Sequence, residues 1–341
     1  MNNPAEPSVL SRPAALASGT APTPRDHVPT LSCVIPCHNE ARNLDLLLPL
    51  LCELLPSITR AWEIVLVDDG STDNTPAVMA DWSALPGFRV LQLSRNFGKE
   101  AALTAGLQAA SGEVVVMMDA DLQHPPAMLM TMLDHWRQGA DVVYAVRANR
   151  DDESLFKRWG AGMFYTLLNR NARFDVPANA GDFRLLDRAA VDALLALPER
   201  NRFMKGLYAW IGFDAVAVPY VPKPRAHGHT NFNLMRLLHM TVDGLTAFTT
   251  WPLRLVSAAG ILMALIGFLY GGYLILAYFL WGNEVSGWTT IVVTLMFFLG
   301  VQMISLGIMG EYVARIFEEV KGRPLYVVKR DLGQGLTVPR P

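Results

Sequence analysis

Two stretches near the C-terminus constrain this chain more than anything else in it. From Leu255 to Gly282, and again from Gly287 to Gly310, there is no Lys, Arg, Asp or Glu. Each exceeds the roughly 20 apolar residues that span a hydrocarbon core, and a buried helix of a soluble domain rarely stays uncharged for so long. The pattern predicts a transmembrane hairpin over 253–310, with spans at about 255–281 and 288–310. Arg254 flanks the first span, and Arg315, Lys321, Arg323, Lys329 and Arg330 follow the second, whereas the short loop around Asn283 and Glu284 holds neither Lys nor Arg. That bias puts both flanks on the cytoplasmic side and the loop outside. Trp251, Trp281 and Trp288 sit near the predicted interfaces, where aromatic anchors collect. Whatever the rest of the chain folds into is expected to hang on the inner face, with both termini cytoplasmic and 311–341 as a C-terminal tail.

Hydrophobic residues make up 51% of the chain, and the hairpin accounts for much of the excess. The net charge of -2 gives no global pointer to nucleic acid, so no nucleic-acid partner is expected. Cys33, Cys37 and Cys52 form no paired C-x-x-C motif and suit reduced cytosolic thiols. Residues 1–29 mix Pro, Ala, Ser and Thr without apolar periodicity, and lack the charged start and long apolar core of a signal peptide. They are read as a disordered tail.

Between the tail and the hairpin, over 30–231, short apolar runs alternate with helical patterns, and each run ends in polar residues. Leu31 to Ile35 leads into Pro36-Cys37-His38-Asn39-Glu40, after which Leu44, Leu47, Leu48 and Leu51 follow helical spacing. Glu63 to Val67 leads into Asp68-Asp69-Gly70-Ser71, and Ser71-Thr72-Asp73 resembles a cap for a helix through Trp82. Arg89 to Leu93 leads into Ser94-Arg95-Asn96-Phe97-Gly98-Lys99-Glu100 and an Ala-rich helix, Ala101 to Ala110. VVVMMDADLQ, Val114 to Gln123, is a buried strand running into carboxylates, and Asp141 to Val146 ends at Arg147. The alternation predicts an α/β domain with a largely parallel, Rossmann-like sheet covered by helices on both faces. In such sheets ligands bind at the C-terminal strand ends, where these polar groups fall.

The residue types suggest the ligand. In an extended segment Asp119, Asp121 and Gln123 point to one side, and three oxygen donors suit Mg²⁺ or Mn²⁺ shared with phosphate oxygens. The alternative is a solvated turn. Lys99, beside free N–H groups at a helix start, invites phosphate. Asp68 and Asp69 can accept hydrogen bonds from a base or ribose, or can serve turn and cap chemistry alone. Cys37 beside His38 is either a reactive or metal-binding pair or a packed thiol with a polar neighbour. From Glu153 to Asn169, Phe156, Trp159, Met163 and Leu167 form a stripe with Lys157, Arg158 and Arg170 nearby, so that 153–170 suits a membrane surface. A second amphipathic stretch, 232–252, carries Arg236 and His239 and leads into the first span.

IPCHNE, VDDGSTD, RNFGKEAAL, MDADLQHPP, GDFRLLDR, RFMKG, FTTWPLRL and GEYVARIFEEVKGRPLY occur in that order from about Leu31 to Val328. In this the chain resembles the family 2 glycosyltransferases that move a sugar onto a polyprenyl phosphate, among them dolichyl-phosphate mannose synthases. Closer in layout are bacterial undecaprenyl-phosphate glycosyltransferases with a C-terminal membrane hairpin. The resemblance implies a GT-A fold, a nucleotide-sugar donor (UDP- or GDP-), a polyprenyl phosphate acceptor, contact with membrane lipid, and a place in the bacterial inner membrane. It also implies a homo-oligomer, a tetramer in relatives of this layout.

Carried over by motif, Pro36, His38 and Glu40 lie by the nucleotide, His38 standing where many relatives have Tyr. Asp68 and Asp69 hold the base or ribose. Asp119, Asp121 and Gln123 carry the divalent ion on the diphosphate, with Lys99 and Arg147 on the phosphates. Asp182 takes the acidic position often assigned as catalytic base, and Arg202 joins it as a catalytic candidate. Where relatives commonly have Ser-Lys-Tyr, this chain has Thr230-Asn231-Phe232, so Arg225, His227, His229 and Thr230 are the candidates for the acceptor phosphate. A processive polysaccharide synthase is the weaker enzyme reading, since Gln-x-x-Arg-Trp is absent from the sequence. A membrane-anchored scaffold without activity is the reading from another class, and the intact Asp119/Asp121/Gln123 set argues against it.

Overall fold

The computed structural model describes residues 23–148, 177, 180–200, 202–221, 251–281 and 287–336. Residues 1–22, the amphipathic stretch 153–170, most of 232–252 and the acceptor candidates Arg225, His227, His229 and Thr230 lie outside the described residues.

The first five strands are β1 (Leu31–Cys37), β2 (Trp62–Asp68), β3 (Phe88–Leu93), β4 (Val114–Met117) and β5 (Val142–Arg147); β1, β2, β3 and β5 lie within two residues of the predicted runs, and β4 stops short of the stretch read as extended to Gln123. Between them lie α1 (Ala41–Ile58), α2 (Thr75–Ser83), α3 (Lys99–Ala109) and α4 (Met128–Arg137). Then follow β6 (Ala180–Asp187), α5 (Arg188–Ala196), α6 (Met204–Trp210), β7 (Ala215–Tyr220), α7 (Trp251–Trp281), α8 (Trp288–Lys321) and β8 (Val328–Gly333). The described strands make one sheet in the order β7-β5-β6-β4-β1-β2-β3-β8. β1 pairs in parallel with β2 and β4, β2 with β3, and β5 with β7. β6 runs antiparallel between β4 and β5, and β8 antiparallel on the edge of β3.

Burial on both faces explains the unbroken apolar runs. β4 is buried at all four residues, which is what a central strand covered by helices on both sides requires. On one face Leu44, Leu47, Leu48, Leu51 and Leu55 of α1 join Ile35, Leu66, Val116 and Phe183 in a core with Trp136 of α4. On the other, α3 lies against Val34, Val67 and Met117, together with Leu194 and Tyr208 of α5 and α6. The alanines of α3 let it approach closely. A Cβ on Gly106 would stand 2.2 Å from Cγ1 of Val34, so a larger residue there would lift the helix off β1.

The last two helices follow the opposite rule. Each is long and apolar enough to cross a membrane, and their large side chains face outward, with Phe268 81% and Phe279 78% exposed. Over the same chain Leu44 and Leu48 are fully buried. α8 continues past the uncharged stretch to Lys321, stops at Gly322 in the left-handed conformation (φ 66°), and returns the chain to the sheet as β8. The sequence reading has no strand in this tail.

Candidate active site

The ends of β1 and β2 are joined side by side. Asn39 adopts a left-handed conformation (φ 60°), and its side-chain oxygen accepts from the N–H groups of Thr72 (2.8 Å) and Asp73 (3.3 Å). Its own N–H donates to Ser71 Oγ at 2.9 Å. Asp68 is buried, and its Oδ1 accepts from the Ser71 N–H at 2.9 Å while Oδ2 has no hydrogen-bond partner. Asp69 turns the other way and accepts from the N–H groups of Phe97 (2.7 Å) and Gly98 (2.9 Å). Asp69 thus orders the loop ahead of α3, while Asp68 keeps one buried carboxylate oxygen without a hydrogen-bond partner. Gly70 (φ 66°) makes the corner, since a Cβ there would stand 2.5 Å from the backbone of Arg95 and Asn96.

His38 Nδ1 lies 3.0 Å from the carbonyl of Asp69; a carbonyl can only accept, so this nitrogen carries the proton. Nε2 then accepts, with the Asn39 amide 3.4 Å away. Pro36 is within β1, and Glu40 at the start of α1 takes the Asn43 amide on its carboxylate and donates its N–H to Thr75 Oγ1 at 2.9 Å. Burial pushes the Cys37 thiol well up, and Glu40, Asp68 and Asp119 add to it. It is a packed thiol, and the reactive alternative for Cys37 falls away.

β4 ends at Met117, so Asp119, Asp121 and Gln123 are carried on a turn rather than a straight strand. Leu122 is left-handed there (φ 59°), and the Gln123 N–H donates to Asp121 Oδ1 at 3.1 Å. Simple strand alternation therefore does not set where these side chains point. Among the described residues no three His, Cys, Asp or Glu side chains form a ready metal cluster. Two carboxylates and an amide form an incomplete oxygen set, which fits a hard cation that takes its other ligands from water and phosphate.

Lys99 is at the centre. Its ammonium lies 2.6 Å from Asp119 Oδ1 and 2.7 Å from Asp182 Oδ2. Burial opposes its charge, but Asp119 and Asp182 outweigh that and hold the amine above its ordinary range. Burial likewise raises Asp182, yet Lys99 and then Lys205 bring it below the usual carboxylate range. Asp182 reaches this point because β6 is antiparallel to β4, with Met117 opposite Arg184, so that the start of β6 lies at the end of β4.

Several residues around this centre were not singled out from the sequence. Glu100, next to Lys99, is pushed up to about 8, first by burial and then by Asp182, and its Oε2 has no partner. Arg184 stacks over Tyr208 at 4.1 Å and Tyr144 at 5.1 Å, and donates to the Gly181 carbonyl at 3.1 Å. His124 is buried between Phe183 (4.9 Å) and Tyr220 (5.1 Å), and burial lowers its pKa although Asp119 and Asp121 pull the other way. GDFRLLDR and MDADLQHPP contain Arg184 and His124, but nothing in those strings separates a wall residue from a ligand. Arg147 stands exposed at the end of β5 and hydrogen-bonds Tyr220 across the β5–β7 pair. Arg202 lies deeper: it is buried, donates to the Leu194 carbonyl at 2.6 Å, and faces Glu199, Tyr208, Glu100 and Tyr326. Burial lowers its pKa. Its charge acts on Glu100 in the back wall rather than at the open rim with Arg147.

Acidic residues gathered at one edge of a mostly parallel sheet, with an ammonium bridging Asp119 and Asp182, make a polar site on an α/β domain that is joined to two long apolar helices. The chain belongs to the glycosyl transferase family 2, whose model matches residues 32–195, and a second model, the GtrB C-terminal hairpin, matches residues 251–316. A glycosyltransferase of Synechocystis, sll0501, is 43% identical over 299 residues, 87% of this chain and 94% of that protein. The SfII prophage-derived bactoprenol glucosyl transferase of Shigella flexneri is 38% identical over 301 residues, 88% of this chain and 97% of that one. The prophage bactoprenol glucosyl transferase homolog of Escherichia coli K12 is 37% identical, over 88% of this chain and 98% of its own length. The mannosyltransferase PcManGT of Pyrobaculum calidifontis, solved with GDP-Man and Mn²⁺, is 22% identical with a TM-score of 0.41, over 58% of this chain and 57% of that one. The protein is a GT-A glycosyltransferase with a membrane-associating hairpin.

Proposed function

We propose that this enzyme transfers a sugar from a UDP- or GDP-sugar to a polyprenyl phosphate at the cytoplasmic face of the bacterial inner membrane. The observation that carries the reading is the single ammonium of Lys99 held between Asp119 and Asp182, in a chain whose last helices form a membrane hairpin. The relatives named as bactoprenol glucosyl transferases support a polyprenyl acceptor.

In this scheme a lipid phosphate approaches an anomeric carbon whose leaving group is an anionic diphosphate, so positive charge dominates the chemistry. Asp119, Asp121 and Gln123 would hold Mg²⁺ or Mn²⁺, which when bound supplies Lewis-acid neutralisation of the leaving diphosphate. Lys99 and Arg147 serve the same phosphates from the first turn of α3 and the end of β5. The unpartnered oxygen of Asp68 receives a donor group of the base or ribose, and Pro36, His38 and Glu40 lie by the nucleotide. Arg225, His227, His229 and Thr230 receive the acceptor phosphate.

A phosphate monoester, with a second pKa near about 6, is already largely ionised at neutral pH. Asp182, held below the usual carboxylate range, is a weak base. Its role is to orient Lys99 and the acceptor rather than to remove a proton. Direct displacement on the donor inverts the anomeric centre. Membranes containing the full chain, given labelled UDP- and GDP-sugars and undecaprenyl phosphate, should form an EDTA-sensitive glycolipid. No product across a broad panel would sink the proposal.

A further inference from the structure

The loop that leads into Lys99 is held by residues that follow the membrane hairpin in the chain. The Ser94 N–H, at the root of that loop, donates to the Val327 carbonyl at 2.9 Å. Leu93 pairs with Val328 after a register irregularity between Gln92 and Leu93, which carries the pairing to the end of β3. The Tyr326 hydroxyl donates to Gln108 near the end of α3, the helix that Lys99 opens. Arg89 takes Asp331 in a two-point ion pair, Nε at 3.1 Å and an Nη at 2.9 Å, while its other Nη donates to the Ala109 carbonyl at 2.9 Å. Upstream, Glu319 on the extension of α8 accepts from the Arg200 N–H at 2.9 Å. Downstream, the Leu336 N–H donates at 2.8 Å to Glu63, a buried carboxylate that also takes Ser32 and the Ser111 N–H. Both the loop ahead of α3 and the last turn of α3 are thus fastened to the stretch that continues the second membrane helix.

We propose that residues 319–336 are a positioning strap for the donor site. The second membrane helix, through β8, sets the position of the loop 94–99 and thereby of the Lys99 ammonium between Asp119 and Asp182. The strap touches no reacting atom. Its positioning residues are Tyr326 and Asp331, acting through Gln108 and Arg89 on α3. The inference rests on the reading of Lys99 as a donor-phosphate ligand only for its kinetic consequence; the mechanical part stands on the contacts alone. A break in the strap leaves the hairpin in the membrane and loosens the donor site.

The test uses the full chain in nanodiscs, comparing wild type with Tyr326→Phe/Asp331→Asn and with the control Asp134→Asn, which removes a surface ion pair to Arg137. Amide exchange in the peptide covering Ser94–Glu100 should speed up about 3- to 10-fold in the double variant, the range expected for losing one or two modest hydrogen bonds. The peptide covering β5 should not change. The KM for the nucleotide-sugar should rise several-fold while the KM for the lipid phosphate stays level, and Asp331→Glu should recover most of the loss. Faster exchange in 326–333 with none in 94–100 overturns the strap. If the double variant fails to fold, Tyr326→Phe alone carries the test, with the same two peptides deciding. Wild-type protein that turns over no nucleotide-sugar would defeat the proposed function, while the exchange result would still decide the strap.

Discussion

Strands β4 and β6 lie side by side in opposite directions, and each brings one carboxylate to the same ammonium. Asp119 follows the C-terminal end of its strand, whereas Asp182 sits near the start of its own. Asp119 belongs to a turn with further oxygen donors at Asp121 and Gln123. Asp182 is on β6 where its pairing with β5 shifts register between Arg184 and Ala180, with the charge of Arg184 acting on it and Glu100 nearby. Equal contacts to one lysine therefore do not imply equal work: under the proposed function one carboxylate holds the cation and the other orients.

That difference can be broken experimentally. Asp119→Asn is expected to cause the largest loss, about 10³-fold in kcat, because it removes a ligand from the charge stabilisation of the leaving group. Mn²⁺ affinity measured by electron paramagnetic resonance should fall with it. An unchanged affinity would take Asp119 out of the metal set. Lys99→Met should cost about 10²-fold, seen mainly as a raised donor KM, since both carboxylates lose their shared counter-charge. If only kcat moved, the lysine would belong to the acceptor side.

Asp182→Asn is expected to be milder, about 10-fold, with little effect on Mn²⁺ affinity, in keeping with an orienting role. A loss equal to that of Asp119→Asn, with acceptor binding intact, would instead make Asp182 a chemical participant. The smallest effect concerns Glu100. An ordinary Glu titrates near 4.5 and this one is pushed up to about 8, so the folded protein binds a proton more tightly than the unfolded chain does. The associated stability is fully present below about 4.5 and is lost as pH rises toward 8. Glu100→Gln should flatten the slope of Tm against pH in that window while leaving it unchanged below pH 4. A slope as steep as wild type would assign the pH dependence to another group.

The parts of the site that could be read in advance share a physical cause. β1 to β5 are apolar runs followed by polar turns, and buried parallel strands require that pattern, so Asp68, Asp69, Asp119 and Arg147 could be placed at one edge before any coordinates. The rule says nothing about an antiparallel strand, whose opposite end faces the ligand. Asp182 was therefore reached through motif resemblance alone, and Arg184, on the same strand, was not reached at all. Glu100 and His124 stand beside residues that were chosen, but burial and an unpartnered atom distinguish them, and those belong to three-dimensional packing. The division of labour between Asp68 and Asp69 was closed to sequence for the same reason. Two adjacent carboxylates look alike until one of them is seen accepting the N–H groups of Phe97 and Gly98.

By itself the sequence determined the solvent of each region. Uncharged runs longer than a bilayer is thick call for lipid, and shorter apolar runs punctuated by turns call for a layered α/β core, because the hydrophobic effect acts on local composition and period. Only the tertiary structure decided which strands run backward, which carboxylate takes which partner, and that the chain returns from the hairpin to close the sheet with β8. Those choices depend on contacts between residues far apart in the chain, Lys99 with Asp182 and Arg89 with Asp331 among them, and a strand of exposed polar residues such as β8 has no apolar pattern to announce its partner.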